Sequence, residues 1–422
     1  MISVEAALGR ITAAFAPLGV ETVPLAEALG RVLAEDVTAK LSQPPVAVSA
    51  MDGYAVRAAD IASLPASLHC VGEAPAGGSY GKELGRGEAV RIFTGGPVPA
   101  GADTIVIQEN TTAEGGAEDG HITVMAGTSP GRYIRSAGLD FRQGEIGLKQ
   151  GRRLTPRDIG LAAAMNLVAL PVRCKPRIAV LATGDELVPL GQTPGPHQII
   201  SSNGIGLAAF IAAQGGIAID LGIARDSIEQ LHEAAEKARD ADLLVTTGGV
   251  SVGDHDLVQK AFGQIGFAAD FWQVAMRPGK PLLFGRIGRL PVLGFPGNPV
   301  SALVCAVIYL APAIAVMLGA AEPATSTTQS ALLAIDLAAN DHRQDYLRAR
   351  LSFDTEGNPG CDAIPPPGQL HAFLPGRSRL PGHPAAPCPS SQGWIAGFDP
   401  RPALRPSGLA ADSTLDAEPE PN

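Results

Sequence analysis

The chain has 422 residues, 45% of them hydrophobic, with a formal charge of −10, 50 glycines and 36 prolines. It is too long for one ordinary core, so two to four domains rich in tight turns are expected. The acidic balance, with no run of Lys or Arg, excludes a general nucleic-acid binder, and any anionic substrate must be met by a few local cations.

The N-terminal MISVEAALGRITAAF carries Glu5 early and lacks a basic n-region with a cleavage site, so it reads as a helix and not as a signal peptide. LAEALGRVLAEDV then reads as helix followed by strand. From Gln43 to about Gly138, short β-like runs (LHCVGEA, AVRIFTG, DTIVIQE, ITVMA) are separated by Gly/Pro turns, the texture of a small β-barrel or sandwich. Over Leu154–Asn166 a helix is expected, with Thr155 as its N-cap and Pro156 at its first position.

From Pro176 strands alternate with helices. RIAVLATG, IAIDLGIA, DLLVTTGG, KPLLFGRI and LPVLGFPG read as strands; SSNGIGLAAFIAAQG, SIEQLHEAAEKARDA, DLVQKAFGQI and NPVSALVCAVIYLA read as helices. The alternation argues a parallel sheet covered by helices on both faces, with ligands held outside the carboxyl ends of the strands. Val300–Leu318 approaches membrane-span length, but Pro312 interrupts it inside the α/β pattern, so a buried helix pair is expected. A last strand, YLRARLSF, stops at Asp354; 14 of the 36 prolines fall in the final 65 residues, and Asn358–Asn422 is expected to lack ordered structure. Cys70, Cys174, Cys305, Cys361 and Cys388 form no CxxC, which supports neither a disulfide framework nor a zinc ribbon. Together these features describe a soluble cytoplasmic protein with no membrane segment.

Four strand-end loops carry chemistry. ATGDEL (Ala182–Leu187) puts Asp185 and Glu186 past a buried strand, and ARD (Ala224–Asp226) places another carboxylate at a strand end. TTGGVSVGDHD (Thr246–Asp256) pairs glycines with hydroxyls and carboxylates, and FPGNPVSA (Phe295–Ala302) brings amides to a helix N-terminus, a natural phosphate seat. Together they offer hard oxygen ligands for Mg²⁺ and a backbone cradle for a phosphate. Each has a plainer reading: Asp254 or Asp256 as a helix cap, Asp185 and Glu186 as solvated turn carboxylates, Gly297 and Asn298 as turn formers. His255 has no second histidine near it in sequence, and Cys174 and Cys305 read as core thiols. AMRPGKPLLF presents Arg277 and Lys280 on either side of a Pro-Gly turn, two cations for an oxyanion or an ordinary solvated turn. In the turn-rich section, PPVAVSAMDGYAV projects Ser49 and Asp52, and FTGGPVPAGADTIVIQE places Thr94 before a Gly-Gly-Pro turn; either cluster alone is more often structural.

These strings, with GLDFRQGE and MRPGKP, resemble the MoeA family, whose eukaryotic counterpart is the E domain of gephyrin; the likeness runs from about residue 3 to residue 357. TGDEL and TTGGVS alone also fit the related pterin-adenylylating proteins. The resemblance implies a multidomain α/β plus β fold with a central MoaB/Mog-like α/β domain and a mostly parallel sheet. Its implied boundaries are 1–45 and 139–172 for an N-terminal and linker region, 46–138 for a β-rich domain and 173–320 for the molybdopterin-binding domain. The start of a C-terminal β-domain would occupy 325–357, and 358–422 an aberrant tail.

The implied reaction joins molybdate to adenylated molybdopterin with release of AMP, helped by Mg²⁺, in a homodimer supplied by an upstream molybdopterin adenylyltransferase. Carried over by motif, the catalytic set would be Asp52, Thr94, Asp140, Glu186, Asp226 and Asp256, the last three around Mg²⁺. The substrate side would draw on Ser202, Asn203, Gly248, Gly249, Ser251, Arg277, Lys280, Pro296, Gly297, Asn298, Pro299, Ser301 and Arg348. Residues of the first sections would reach the other subunit's α/β pocket. Past Arg348 the family's serine-bearing pattern is lost at about Asn358. One permitted codon choice for Cys361–Pro384 reads, one base over, as MRFPRQDNSMLSFLAAADCLVI, a string of the missing texture. Two other functions compete: adenylation of molybdopterin, which leaves residues 1–170 unexplained, and a non-catalytic dimeric scaffold, against which the acidic pocket argues.

Overall fold

The computed structural model describes residues 1–113, 120–225, 227–249, 257–321, 332–333, 342–347, 349–353 and 359–363. Two compact units emerge: one holds Ile11–Pro176 and Ala311–Ala324, the other Met1–Arg10, Arg177–Leu310 and the chain from Thr325 on. The expected N-terminal helix is α1 (Val4–Ala13), with Val4, Ala7 and Ile11 buried at helical spacing.

In the first unit, β1 (Gly53–Val56), β2 (Ala66–Ala74), β3 (Glu88–Ile92), β4 (Thr104–Ile107), β5 (Thr111–Ala113) and β6 (His121–Val124) form a single six-stranded sheet in the order β4–β1–β3–β2–β6–β5. The sheet is mixed. β2 and β3 run parallel, which a tight hairpin cannot achieve, and residues 75–87 supply the crossover. Alternation sends Tyr54, Val56, Leu68 and Val106 into one apolar cluster and Ala55, Val90, Ile92 and Ile105 into another, so both faces are covered. Glycine at 53 is dictated by closeness: a Cβ there would lie 2.0 Å from the Val106 carbonyl oxygen. Helix α2 (Pro156–Ala164) starts as the sequence requires. Thr155 and Asp158 form a reciprocal capping box, Pro156 opens the helix, and Asp158 also accepts from the Arg152 guanidinium at 2.8 Å.

In the second unit, β7 (Arg177–Thr183), α3 (Asn203–Ala213), β8 (Ile217–Ala224), α4 (Ile228–Lys237), β9 (Leu243–Thr247) and α5 (Leu257–Gln264) follow the expected alternation. Next come β10 (Phe267–Gln273), β11 (Pro281–Ile287), β12 (Leu290–Phe295) and α6 (Pro299–Cys305). The strand order is β8–β7–β9–β12–β11–β10; the first four run parallel, and β11 runs antiparallel to both β12 and β10. The antiparallel pairings are the minority in the mostly parallel sheet that the sequence leads one to expect. Only Gly288 and Arg289 separate β11 from β12, and Gly288 at φ 58° supplies the left-handed residue such a turn needs. Strand β10 is absent from the sequence reading because, at the sheet edge, it buries only Phe271 fully and shows no alternation. Leu231 of α4 and Phe262 of α5 pack with Leu181, Leu244 and Val292 in one core.

The apolar run Pro299–Met317 is long and apolar enough to cross a membrane by length and composition, and most of it is buried within the protein. It is one continuous helical run with a π turn at Ala306–Leu310, rather than the expected pair of helices. The chain does not lose regular structure at Asn358. Strand β13 (Ala349–Phe353) pairs antiparallel with β14 (Pro359–Ala363), Phe353 opposite Pro359 and Ala349 opposite Ala363. Backbone pairing overrides the proline-rich composition there, because a proline at the first residue of a strand forfeits only one ladder donor. Residues 364–422, to which the rest of the tail expectation applies, lie outside the described residues.

Candidate active site

Strands β7, β9 and β12 end side by side, and the chain leaving them lines an open cleft. This is the position at which parallel sheets bind ligands. The lining comes from Thr183 at the end of β7 with Glu186 and Leu187 after it, Ile199–Asn203 before and at the start of α3, Thr247 at the end of β9 with Gly248 after it, and Gly297 and Pro299 after β12. Asn203 ties these segments together: its side-chain amide donates to Thr247 Oγ1 and to the Gly297 carbonyl, both at 2.8 Å. Thr247 in turn donates to the Pro296 carbonyl at 3.3 Å.

Two glycines shape the floor. Gly248 has φ +93°, and a Cβ on it would stand 2.2 Å from the Thr183 carbonyl oxygen. At Gly184 a Cβ would stand 2.4 Å from Glu186 Oε2, so the absent side chain lets the Glu186 carboxylate fold back over the loop. Glu186 itself is exposed at the cleft. The hydroxyl of Thr183, which also lines the cleft, is buried and lacks a hydrogen-bond partner. The Arg225 guanidinium donates to the Asp185 carbonyl, joining the loops after β7 and β8.

The expected anion seat at the start of α6 takes a different form. Asn298 Oδ1 accepts from the Val300 amide at 3.0 Å and the Ser301 amide at 3.2 Å, so those two donors are already engaged by the cap. Asn298 is therefore a helix cap, and Ser301, buried at 8% exposure, turns its hydroxyl toward the same oxygen.

The Arg277–Lys280 turn precedes β11. Lys280 is half-buried, and its carbonyl accepts from the Val274 amide at 3.0 Å. The Arg277 guanidinium does not stand open. It forms a two-point ion pair with Asp345, at 2.8 and 2.9 Å. Beneath the turn, Tyr309 donates to Met276 Sδ at 3.3 Å, and Cys305 is fully buried. Burial drives the Cys305 thiol and the Tyr309 phenol far above their usual ranges and pushes Tyr346 up to about 12. All three are neutral at physiological pH, so Cys305 is the core thiol the sequence suggests; Cys174 is half-buried.

In the other unit, the Asp52–Gly53 turn brings Asp52 to Thr94. Asp52 Oδ1 accepts from the Thr94 amide at 2.7 Å and its hydroxyl at 2.8 Å. Those bonds, backbone first, together with the Arg91 charge, hold the exposed Asp52 carboxyl below its ordinary value. Arg91 is fixed by stacking on Tyr54 at 4.9 Å and Phe93 at 5.2 Å, and by donating to Gln108 Oε1 at 2.8 Å. Ser49 is buried and donates to the Met51 carbonyl at 2.6 Å, shaping the turn rather than facing a ligand. Asp140 is exposed, and its amide donates to the Gln43 carbonyl at 2.9 Å.

Residues 2–166 match the family described as "MoeA N-terminal region (domain I and II)", and residues 179–316 match "Probable molybdopterin binding domain". The chain is 38% identical over 340 residues to molybdopterin molybdenumtransferase 2 of Mycobacterium tuberculosis, covering 78% of this chain and 83% of that protein. The chain belongs to the molybdopterin molybdenumtransferase (MoeA) family. To the Haemophilus influenzae member it is 34% identical over 342 residues, covering 81% and 83% of the two chains. Two Pyrococcus horikoshii MoeA structures superpose with TM-scores of 0.73 and 0.74, at 32% and 27% identity, covering 86% and 89% of this chain and 90% and 92% of theirs. As a member of this family the chain is a transferase with a multidomain α/β fold.

Within this family member, the cleft unites Glu186, Ser202, Asn203, Gly248, Gly297 and Pro299 of the expected site. Asp52 and Thr94 form their own hydrogen-bonded pair in the other unit. Asp226, Ser251, Asp256 and Arg348, together with Asp254 and His255, lie outside the described residues, and Gly249 (φ 64°) is the last described residue of its loop. Sequence reasoning missed Thr183, Thr247 and the Ile199–Ile200 wall. Thr247 ends a buried strand and Ile200 precedes a helix start, positions at which side chains face a strand-end cleft.

Proposed function

We propose that this chain inserts molybdenum from molybdate into adenylated molybdopterin, releasing AMP and giving molybdenum cofactor, in a Mg²⁺-dependent reaction. The observation that carries the reading is the strand-end cleft itself, lying in the span that matches molybdopterin-binding domains and lined by Glu186, Asn203 and two close-packed glycine loops. Both features suit a phosphorylated, planar ligand: backbone can approach closely, and the Glu186 carboxylate stands at a cleft walled by Leu187, Ile199 and Ile200, against which a flat ring can pack.

Of the three carboxylates expected to hold Mg²⁺, Glu186 is the one within the described residues. Glu186 presents hard oxygens at the cleft, and the buried hydroxyl of Thr183 in the same lining lacks a protein partner. Glu186 would hold the ion with Asp226 and Asp256; when bound, it supplies charge neutralisation at the adenylate phosphate. Lys280 would meet the oxyanion, a local cation on a chain whose net charge repels one. The functional unit we propose is a homodimer in the cytoplasm. One protomer's Asp52, Thr94 and Asp140 serve its partner's cleft, and a molybdopterin adenylyltransferase supplies the substrate.

The deciding assay is AMP release from adenylated molybdopterin with molybdate and Mg²⁺ each present or omitted. Release that needs both is the expected result. Release independent of molybdate would count against metal insertion, and AMP incorporation from ATP would point to the adenylating reaction instead.

A further inference from the structure

The Pro-Gly turn that carries Arg277 and Lys280 is held in place by a segment far away in sequence. Met276–Arg277 pairs in parallel with Gln344–Asp345. The Gln344 amide donates to the Ala275 carbonyl at 2.9 Å, and the Tyr346 amide donates to the Arg277 carbonyl at 2.7 Å. Between these two backbone bonds, Asp345 takes both arms of the Arg277 guanidinium, Nε at 2.8 Å and a terminal nitrogen at 2.9 Å. A two-point guanidinium–carboxylate contact fixes orientation as well as distance, which a single ammonium contact does not.

The same turn is fixed from below. Gly279, at φ +103°, is buried where a Cβ would meet Cys305 Sγ at 2.8 Å and Met276 Cε at 2.9 Å. Met276 is itself bonded to the buried Tyr309 hydroxyl at 3.3 Å. The turn can therefore neither rise, being tied to 344–346, nor sink, being packed on Cys305 and Met276. Lys280 leaves this fixed turn immediately before β11.

We propose that Asp345 is a positioning residue: through its two-point pair with Arg277 it sets the turn that aims Lys280 at the oxyanion, and Arg277 belongs to this clamp rather than to the anion pocket. The inference rests on the reading of Lys280 given above. Asp345 contacts no substrate; its effect reaches the reaction through Lys280. The side chains of Arg277 and Asp345 are 49% and 23% exposed, so the pair itself contributes little to global stability. Variants of it should fold.

The test uses the full-length chain and three variants, D345N, R277Q and the double variant, with K280A as reference. Molybdate alone is titrated by calorimetry, and kcat and KM for molybdate are measured in parallel. Displacing a positioned group by about an ångström costs on the order of 10²-fold, so D345N is expected to weaken molybdate binding and raise KM roughly ten- to a hundredfold. R277Q should match D345N, and the double variant should be no worse than either. The clamp is overturned if D345N binds molybdate as well as or better than the parent while R277Q binds it worse, because Arg277 would then be an anion ligand released by loss of Asp345. Separately, K280A binding molybdate like the parent would sink the reading of Lys280, and with it the purpose of the clamp, whatever Asp345 does.

Discussion

Substituting Gly248 by alanine tests the cleft's architecture at its tightest point. Two penalties add. Its φ of +93° is a conformation that a side chain resists, at about 1–2 kcal/mol per residue. The new methyl would also stand 2.2 Å from the Thr183 carbonyl and 3.1 Å from Thr183 Oγ1, neither of which is the loose end of a long side chain. Thr183 belongs to β7 and is 2% exposed, so relief requires moving a buried strand end, an overpacking cost of roughly 1–3 kcal/mol. The sum is roughly 2–5 kcal/mol of lost stability, with strand ends displaced at the cleft. Gly204 is the matched control. It lies in the first turn of α3 with open space where its Cβ would go, so G204A is expected to stabilise by about 0.5–1 kcal/mol. Urea denaturation followed by circular dichroism reads both, and molybdopterin titration reads the cleft. A G248A protein within about 1 kcal/mol of the parent and with unchanged ligand affinity would refute the argument from close approach.

Three further outcomes are expected. The Asp52 carboxyl is held down by the Thr94 amide and hydroxyl, so activity that needs its charge persists above the folded pKa and is lost as pH falls through it; T94V removes one of those donors. The acid limb of the AMP-release profile should therefore move to higher pH in T94V, and an unmoved limb would exclude Asp52 as its source. If one protomer's Asp52 serves its partner's Glu186 cleft, D52A and E186A proteins, each inactive alone, should recover about a quarter of parental activity after subunit exchange, the statistical share of complete sites in a two-fold dimer; no recovery with demonstrated exchange would place both residues in one protomer's site. A chain carrying MRFPRQDNSMLSFLAAADCLVI in place of residues 362–422 should turn over faster than this one, whereas equal rates would show the tail to be dispensable.

The α/β unit was legible because its strands are buried on both faces. RIAVLAT and LLVTT leave almost no polar position, and such runs can be little else between amphipathic helices. The Thr155 cap of α2 was equally readable, since it uses residues adjacent in sequence. Edge strand β10 was not legible. FAADFWQ pairs along one side and exposes Trp272, so its sequence carries no period-2 signature; only its partner β11 defines it. The same limit applied to β14, whose PGCDA composition argues against a strand until β13 is placed beside it.

The site divides along the same line. Glycine-rich strand ends announce a backbone that must pass close to something, and the cleft forms where they converge. Which polar groups remain open to a ligand depends on partners far along the chain. Asn298 and Arg277 both looked like anion ligands in the sequence, one as a loop amide donor and the other as a cation. Three-residue geometry engages Asn298 in capping α6, and a residue 68 positions away engages Arg277. Lys280, three residues beyond Arg277, shares the turn but not the partner. A motif therefore identifies the turn, and the fold decides which of its two charges is engaged by a distant carboxylate.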